Sequence, residues 1–181
     1  SDTTRSNAYI LEWSPNGGDL YSNGPNDGLI QLNRDTLVEE VAYVGNHTGT
    51  MACMDVSSIS GMVLTADENG LIHLWDNDGE NIRQELQLQS TINDCTFGNN
   101  DEFYSVSTPT NGIRKWTISG AELKSIDIND AKRYHFKPNA NEVVVHKTTP
   151  TQYVVVYDYL NEFYVDQIAM FHTFDDYVVL F

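Results

Sequence analysis

The sequence predicts an all-β chain built from repeated antiparallel units. One motif recurs every 41 or 42 residues, a second recurs every 39 to 43, and no segment offers a comparable helical stripe. The first motif is a turn followed by alternating apolar residues. Its copies are Asp27-Gly28-Leu29-Ile30-Gln31-Leu32-Asn33, Asn69-Gly70-Leu71-Ile72-His73-Leu74-Trp75-Asp76 and Asn111-Gly112-Ile113-Arg114-Lys115-Trp116, with a fainter one at Tyr153-Val154-Val155-Val156-Tyr157-Asp158. The copies end at Asn33, Trp75, Trp116 and Tyr157, at intervals of 42, 41 and 41.

The second motif is an apolar residue that closes a strand before a polar turn, at Trp13, Val56, Phe97 and Phe136. Trp13-Ser14-Pro15-Asn16-Gly17 and Phe136-Lys137-Pro138-Asn139 show it best, because Pro, Asn and Gly suit turn dihedrals that strands do not use. Each period holds several short runs rich in Val, Ile, Leu, Tyr and Phe, divided by Gly, Asn, Asp or Pro. This is the pattern of strands and hairpins, and the Asp-Gly and Asn-Gly pairs favour tight antiparallel connections. Four units follow, at about residues 7–43, 44–86, 87–128 and 129–170, and residues 171–181 read as the start of another.

A repeat of this length ending in Leu74-Trp75-Asp76 resembles the WD-repeat (WD40) family, a resemblance that covers nearly the whole chain and is strongest in the second unit. It implies β-propeller blades of four antiparallel strands. Gly45-Asn46-His47 is similar to the family's glycine-histidine element, and Thr65 and Trp75 fall near its hydroxyl and tryptophan positions. In the family these side chains join an Asp in a hydrogen-bonded network within the blade. The resemblance places Asn69 at that carboxylate position, with Asp67 two residues earlier, so the implied network is His47, Thr65, Asn69 and Trp75. The tryptophan position is Asn33 in the first unit and Tyr157 in the fourth. Four blades and a fraction are few for a closed ring. The expectation is therefore an incomplete or segmented propeller, completed by the rest of a longer protein or by another chain, or else an unusually small ring.

Composition narrows the function. With 40% hydrophobic residues the chain has a core to bury, and no stretch approaches the roughly 20 apolar residues of a membrane-spanning helix. The polar start Ser1-Asp2-Thr3-Thr4-Arg5-Ser6 lacks signal-peptide order, so an intracellular location is expected. Cys53 and Cys95 lie 42 positions apart and are expected to be reduced core thiols. Ten bases against twenty-six acids give a net charge of −16, which disfavours direct nucleic-acid binding. Residues 1–82 hold thirteen of those acids and only Arg5 and Arg34, a net of −11.

No enzyme reading emerges. His47, His73, His135, His146 and His172 lack metal-site spacing, the Gly-rich segments lack a phosphate-loop lysine, and the acidic clusters do not follow a calcium loop. No cofactor or metal is expected. Asn46-His47-Thr48 matches a glycosylation sequon, which is read as coincidental. The expected function is a scaffold in a multiprotein complex that presents loops on rigid blades. A basic partner would dock on the acidic face at Asp76, Asp78, Glu80, Asp101 and Glu102. The alternatives are an acidic chaperone or carrier for a basic protein such as a histone or ribosomal protein, and a propeller enzyme or small-ligand lectin.

Overall fold

A computed structural model of the chain describes residues 10–24, 28–77, 82–98, 100–108, 112–127, 131–136, 142–147, 153–158 and 163–169. Asp78, Glu80 and the 171–181 segment lie outside these. The described residues contain sixteen strands and no helix. They divide into two units, residues 1–129 and 130–181.

The first unit holds three four-stranded antiparallel sheets, each a simple meander. The first comprises β1 (Leu11–Trp13), β2 (Asp19–Asn23), β3 (Gly28–Asn33) and β4 (Glu39–Asn46). The second comprises β5 (Met51–Val56), β6 (Val63–Asp67), β7 (Leu71–Trp75) and β8 (Ile82–Gln87). The third comprises β9 (Thr91–Phe97), β10 (Phe103–Thr108), β11 (Gly112–Trp116) and β12 (Glu122–Ile126). The second unit holds one such sheet, of β13 (Ala131–Phe136), β14 (Glu142–Lys147), β15 (Tyr153–Asp158) and β16 (Phe163–Ala169).

The same rung recurs in every sheet, because each strand-closing apolar residue sits opposite a defined pair. Trp13 faces Leu20, which faces Leu32; Val56 faces Val63, which faces Trp75; Phe97 faces Phe103, which faces Trp116; Phe136 faces Val143, which faces Tyr157. The register therefore corrects one position, since the first-sheet counterpart of Trp75 is Leu32 and not Asn33. Leu32 is buried, whereas Asn33 opens the following turn and accepts hydrogen bonds there from the amides of Asp35 and Thr36.

Side-chain alternation sends neighbouring residues to opposite faces of a strand, and in the second sheet both faces are covered. Val63 and Trp75 join Met51, Met54 and Val56 against Tyr21, Leu29 and Tyr43 of the first sheet. Leu64, Ala66, Ile72 and Leu74 join Cys53 and Leu88 against Ile92, Cys95, Phe103 and Trp116 of the third. Two-sided burial explains why β6 and β7 are buried at every position.

Cys53 and Cys95 are joined by a disulfide between β5 and β9, with a Cα–Cα separation of 5.7 Å. This overturns the expectation of reduced thiols. The repeat supplies the reason: a 42-residue separation is one period, so the two cysteines occupy neighbouring strands of adjacent sheets.

Gly70 closes the β6–β7 turn at a φ of +87°, and a Cβ there would lie 2.4 Å from the Leu88 carbonyl oxygen and 2.7 Å from that of Ser90. Both obstacles are backbone. Gly70→Ala should lower stability by about 1–3 kcal/mol, measured as a fall in the urea midpoint. An unchanged midpoint would show that the β8–β9 connection yields freely.

Candidate functional site

The most organised cluster of polar side chains lies in the second sheet. The Trp75 indole N–H donates to Thr65 Oγ1 at 2.8 Å, and that hydroxyl meets His47 Nε2 at 2.7 Å. Thr65 accepts from Trp75, and because the Asp67 carboxylate beside Nδ1 favours the ring proton there, Nε2 is left to accept from the Thr65 hydroxyl. The other ring nitrogen of His47, Nδ1, then faces Asp67 Oδ2 at 3.4 Å. All four residues are buried.

Asp67, rather than Asn69, supplies the carboxylate. Its Oδ2 accepts from the amides of Thr48 and Gly49 and from the Thr48 hydroxyl, and its Oδ1 accepts from the amides of Asn69 and Leu71. Asn69 instead donates to the Thr48 carbonyl from the exposed turn. Burial pushes the Asp67 pKa up. The amide hydrogen bonds from Leu71, Gly49 and Thr48, together with His47, outweigh that effect and hold it below the usual carboxylate value.

His73 stacks on His47 with ring centroids 4.6 Å apart and meets Trp75 edge-on at 5.1 Å. Its Nε2 lies 3.1 Å from Glu85 Oε2, while its buried Nδ1 has no hydrogen-bond partner. A neutral ring protonated at Nε2 fits both facts, because Nδ1 then carries only a lone pair. Burial lowers the His73 pKa from its ordinary 6.5, against the opposing pull of Glu85 and Asp67. A depressed folded-state pKa gives stability that is fully present above the unfolded value and declines as pH falls through 6.5 towards the folded value. Stability should therefore fall as pH drops through 6.5, and His73→Gln should flatten that slope in urea titrations. An equal slope in the variant would assign the effect elsewhere.

The third sheet keeps part of the second-sheet arrangement, with Trp116 donating to Ser105 at 2.9 Å. Arg114 lies over the Trp116 ring, in the position that His73 occupies beside Trp75, and pairs with Glu122. In the first sheet the Leu32 side chain has no N–H to give, and Ser22 donates to the Asn23 carbonyl.

The acidic residues expected to contact a partner are not left free together. Asp76 pairs with Arg83 at 3.3 Å, and Glu102 pairs with Lys115. Asp101 accepts from the hydroxyls of Ser57 and Ser60, tying the third sheet to the β5–β6 turn of the second. Asp55 makes a parallel tie, its Oδ2 accepting from the Phe97 amide and the Thr96 hydroxyl at 2.6 Å each. Two of the expected contact carboxylates, Asp101 and Glu102, thus hold the fold together, a use that the sequence did not reveal. Asp55 was not expected at all, and its only sequence signal was its place one residue before Val56.

Among the described residues no group of three or more His, Cys, Asp or Glu could hold a metal ion. A hollow of about 260 Å³ lies between the first two sheets, lined by polar residues including Ser14, Asn16, Asp19, Ser57 and Asn77. A more open one of about 500 Å³ is lined by Glu68, Asn69 and the stretch from Gln87 to Thr91.

No protein-family model matches the sequence, and no curated protein is detectably similar to it. Solved structures do match. The β-propeller domain of Myceliophteria thermophila Cps50 (Swd1) superposes with a TM-score of 0.76 at 10% identity, over 92% of this chain and 58% of that one. The C-terminal WD40 domain of Sif2 superposes with a TM-score of 0.69 at 16% identity, over 83% of this chain and 43% of that one. The chain thus spans about half the length of these structures. Together with the repeated rung and the Trp75–Thr65–His47–Asp67 network, these likenesses show that the chain has the fold of a WD40 β-propeller segment.

Proposed function

We propose that the chain is a protein-interaction scaffold whose sheets work beside further propeller sheets, supplied by the rest of a longer protein or by another chain. The observation that carries this reading is the exposure of Leu11 and Trp13. They are 58% and 51% exposed, whereas their second-sheet counterparts, Met54 and Val56, are each 7% exposed and packed on the first sheet. Leu11 and Trp13 thus offer, on the far side of the first sheet, the kind of surface that the second sheet buries. Burying a side chain of this size stabilises by roughly 1.5–3 kcal/mol.

Trp13→Ser with Leu11→Ser should leave the urea midpoint of the isolated chain nearly unchanged and weaken its binding to whatever covers the face. Pull-down with the flanking polypeptide of the parent gene, or with a partner recovered from the source, reads this. Equal recovery by the variant would reject the reading of this face.

An acidic chaperone or carrier for a basic protein is the second reading, and the charge of −16 favours it. It calls for an association rate that falls steeply with salt. Asp76, Asp101 and Glu102, the carboxylates expected to meet such a partner, also pair within the chain. The redox state of Cys53 and Cys95 bears on location. A bond retained in protein from the native source indicates oxidising surroundings, and a reduced pair indicates the cytosol or nucleus.

A further inference from the structure

We propose that the β3–β4 turn is a contact site for a partner protein that presents an apolar hollow rimmed by lysine or arginine, with Leu37 and Val38 entering the hollow. This rests on the scaffold reading and names one of its contact points. The turn is a hydrogen-bonded six-residue structure. The Asn33 amide donates to the Val38 carbonyl, the Leu37 amide donates to the Asn33 carbonyl, and Asn33 Oδ1 accepts from the amides of Asp35 and Thr36.

The β5–β6 turn is built the same way. There the Ser57 amide donates to the Met62 carbonyl, the Gly61 amide donates to the Ser57 carbonyl, and Ser57 Oγ accepts from the amides of Ile59 and Ser60. Position for position, Leu37 matches Gly61 and Val38 matches Met62. The comparison isolates what is unusual. The turn needs a left-handed residue at its fifth position, and Gly61 meets that need at a φ of +75°. Leu37 adopts it at +55°, and the one other non-glycine residue with positive φ among those described, Asp101, is of a type that tolerates it.

Burial does not offset the strain, because Leu37 is 52% exposed. Val38 is 56% exposed where Met62 is buried at 3%. Folding alone therefore gives no reason for leucine and valine at these two positions, and strain concentrated in a presented side chain points to use by a partner.

Charge identifies the partner's chemistry. Residues 34–40 are all exposed, and they carry Asp35, Glu39 and Glu40 against the single base Arg34, which is engaged by Asp35 and by the Gly17 carbonyl. A second copy of this chain would bring the same carboxylates face to face, and an anionic membrane would repel them. A hollow with a basic rim pairs both the aliphatic side chains and the carboxylates around them.

The test uses the full chain with photoreactive benzoylphenylalanine in place of Val38 or, as a control on an exposed strand, of Leu123 in β12. The protein cross-linked from position 38 is purified and titrated against the wild type, Leu37→Gly/Val38→Ser and Leu123→Ser. The double variant should raise Kd roughly tenfold or more, with little change for Leu123→Ser, and the wild-type Kd should rise with salt. Because glycine suits the turn, the urea midpoint of the double variant should stay level or rise. Equal Kd values for the wild type and the double variant would overturn the proposal alone, as would a lowered midpoint, which would make Leu37 a structural residue. Cross-links only to a second copy would overturn it in favour of self-association. If no protein is captured from position 38, the proposal falls, while the scaffold reading stands or falls on the Leu11 and Trp13 variant.

Discussion

Replacing Asp67 with alanine should destabilise the first unit by roughly 3–5 kcal/mol, the range for removing one partner from a buried charged network. The carboxylate satisfies four backbone amides, those of Thr48, Gly49, Asn69 and Leu71, and faces His47. Removing it strands those donors and takes away the charge that orients His47 towards Thr65 and Trp75. Asp67→Asn should lose less, since one amide oxygen still accepts two of the four bonds. Asn69→Ala should cost at most about 1 kcal/mol, because its side chain makes exposed hydrogen bonds. The chain's three tryptophans, Trp13, Trp75 and Trp116, all lie in the first unit, so fluorescence during urea unfolding reports that unit directly. A loss below about 1 kcal/mol for Asp67→Ala would mean that water replaces the carboxylate easily. The depressed Asp67 pKa adds a signature. Its contribution is complete above the ordinary 3.8 and is lost as pH falls through its folded value, so the wild type should converge on Asp67→Ala in acid.

The repeat made the architecture legible. Trp13, Val56, Phe97 and Phe136 mark the end of the first strand in each sheet, and the residues opposite them follow from antiparallel pairing. Position within a turn was less legible. The spacing of the motif ends puts the first-sheet tryptophan position at Asn33, but the β2–β3 register carries Leu32 to the buried rung and leaves Asn33 to build the turn. The choice between Asp67 and Asn69 had the same origin. Both flank the β6–β7 turn, and only the backbone path decides which side chain points back at the amides of Thr48 and Gly49. The partners of the acids were hidden for a different reason. Asp55 and Asp101 accept hydrogen bonds from residues at least 41 positions away, pairings that appear only when one sheet is laid on the next. Leu37 looks like an ordinary loop residue until its turn is set beside the one containing Gly61.

The spacing of the cysteine pair is itself the sign of its bond, for 42 residues is the repeat interval. Breaking this bond should produce the second large loss. Closing a loop of that length removes chain entropy from the unfolded state worth roughly 4 kcal/mol in the loop-entropy account, so Cys53→Ala/Cys95→Ala should be less stable than the oxidised wild type by about that amount. Alanine is the suitable replacement because both cysteines sit in the apolar cluster between the second and third sheets, where serine would add unpaired hydroxyls. The sheets should stay together in the variant, because the Asp55 and Asp101 ties and the contact between Leu64, Ile72, Phe103 and Trp116 do not involve sulfur. Urea titrations followed by tryptophan fluorescence, with and without dithiothreitol, separate the effects. Reductant should bring the wild type down towards the variant and leave the variant where it is. Equal wild-type midpoints in both conditions, or two reactive thiols in denatured protein prepared without reductant, would show that the bond does not form. The first unit would then be held by packing and carboxylate ties alone.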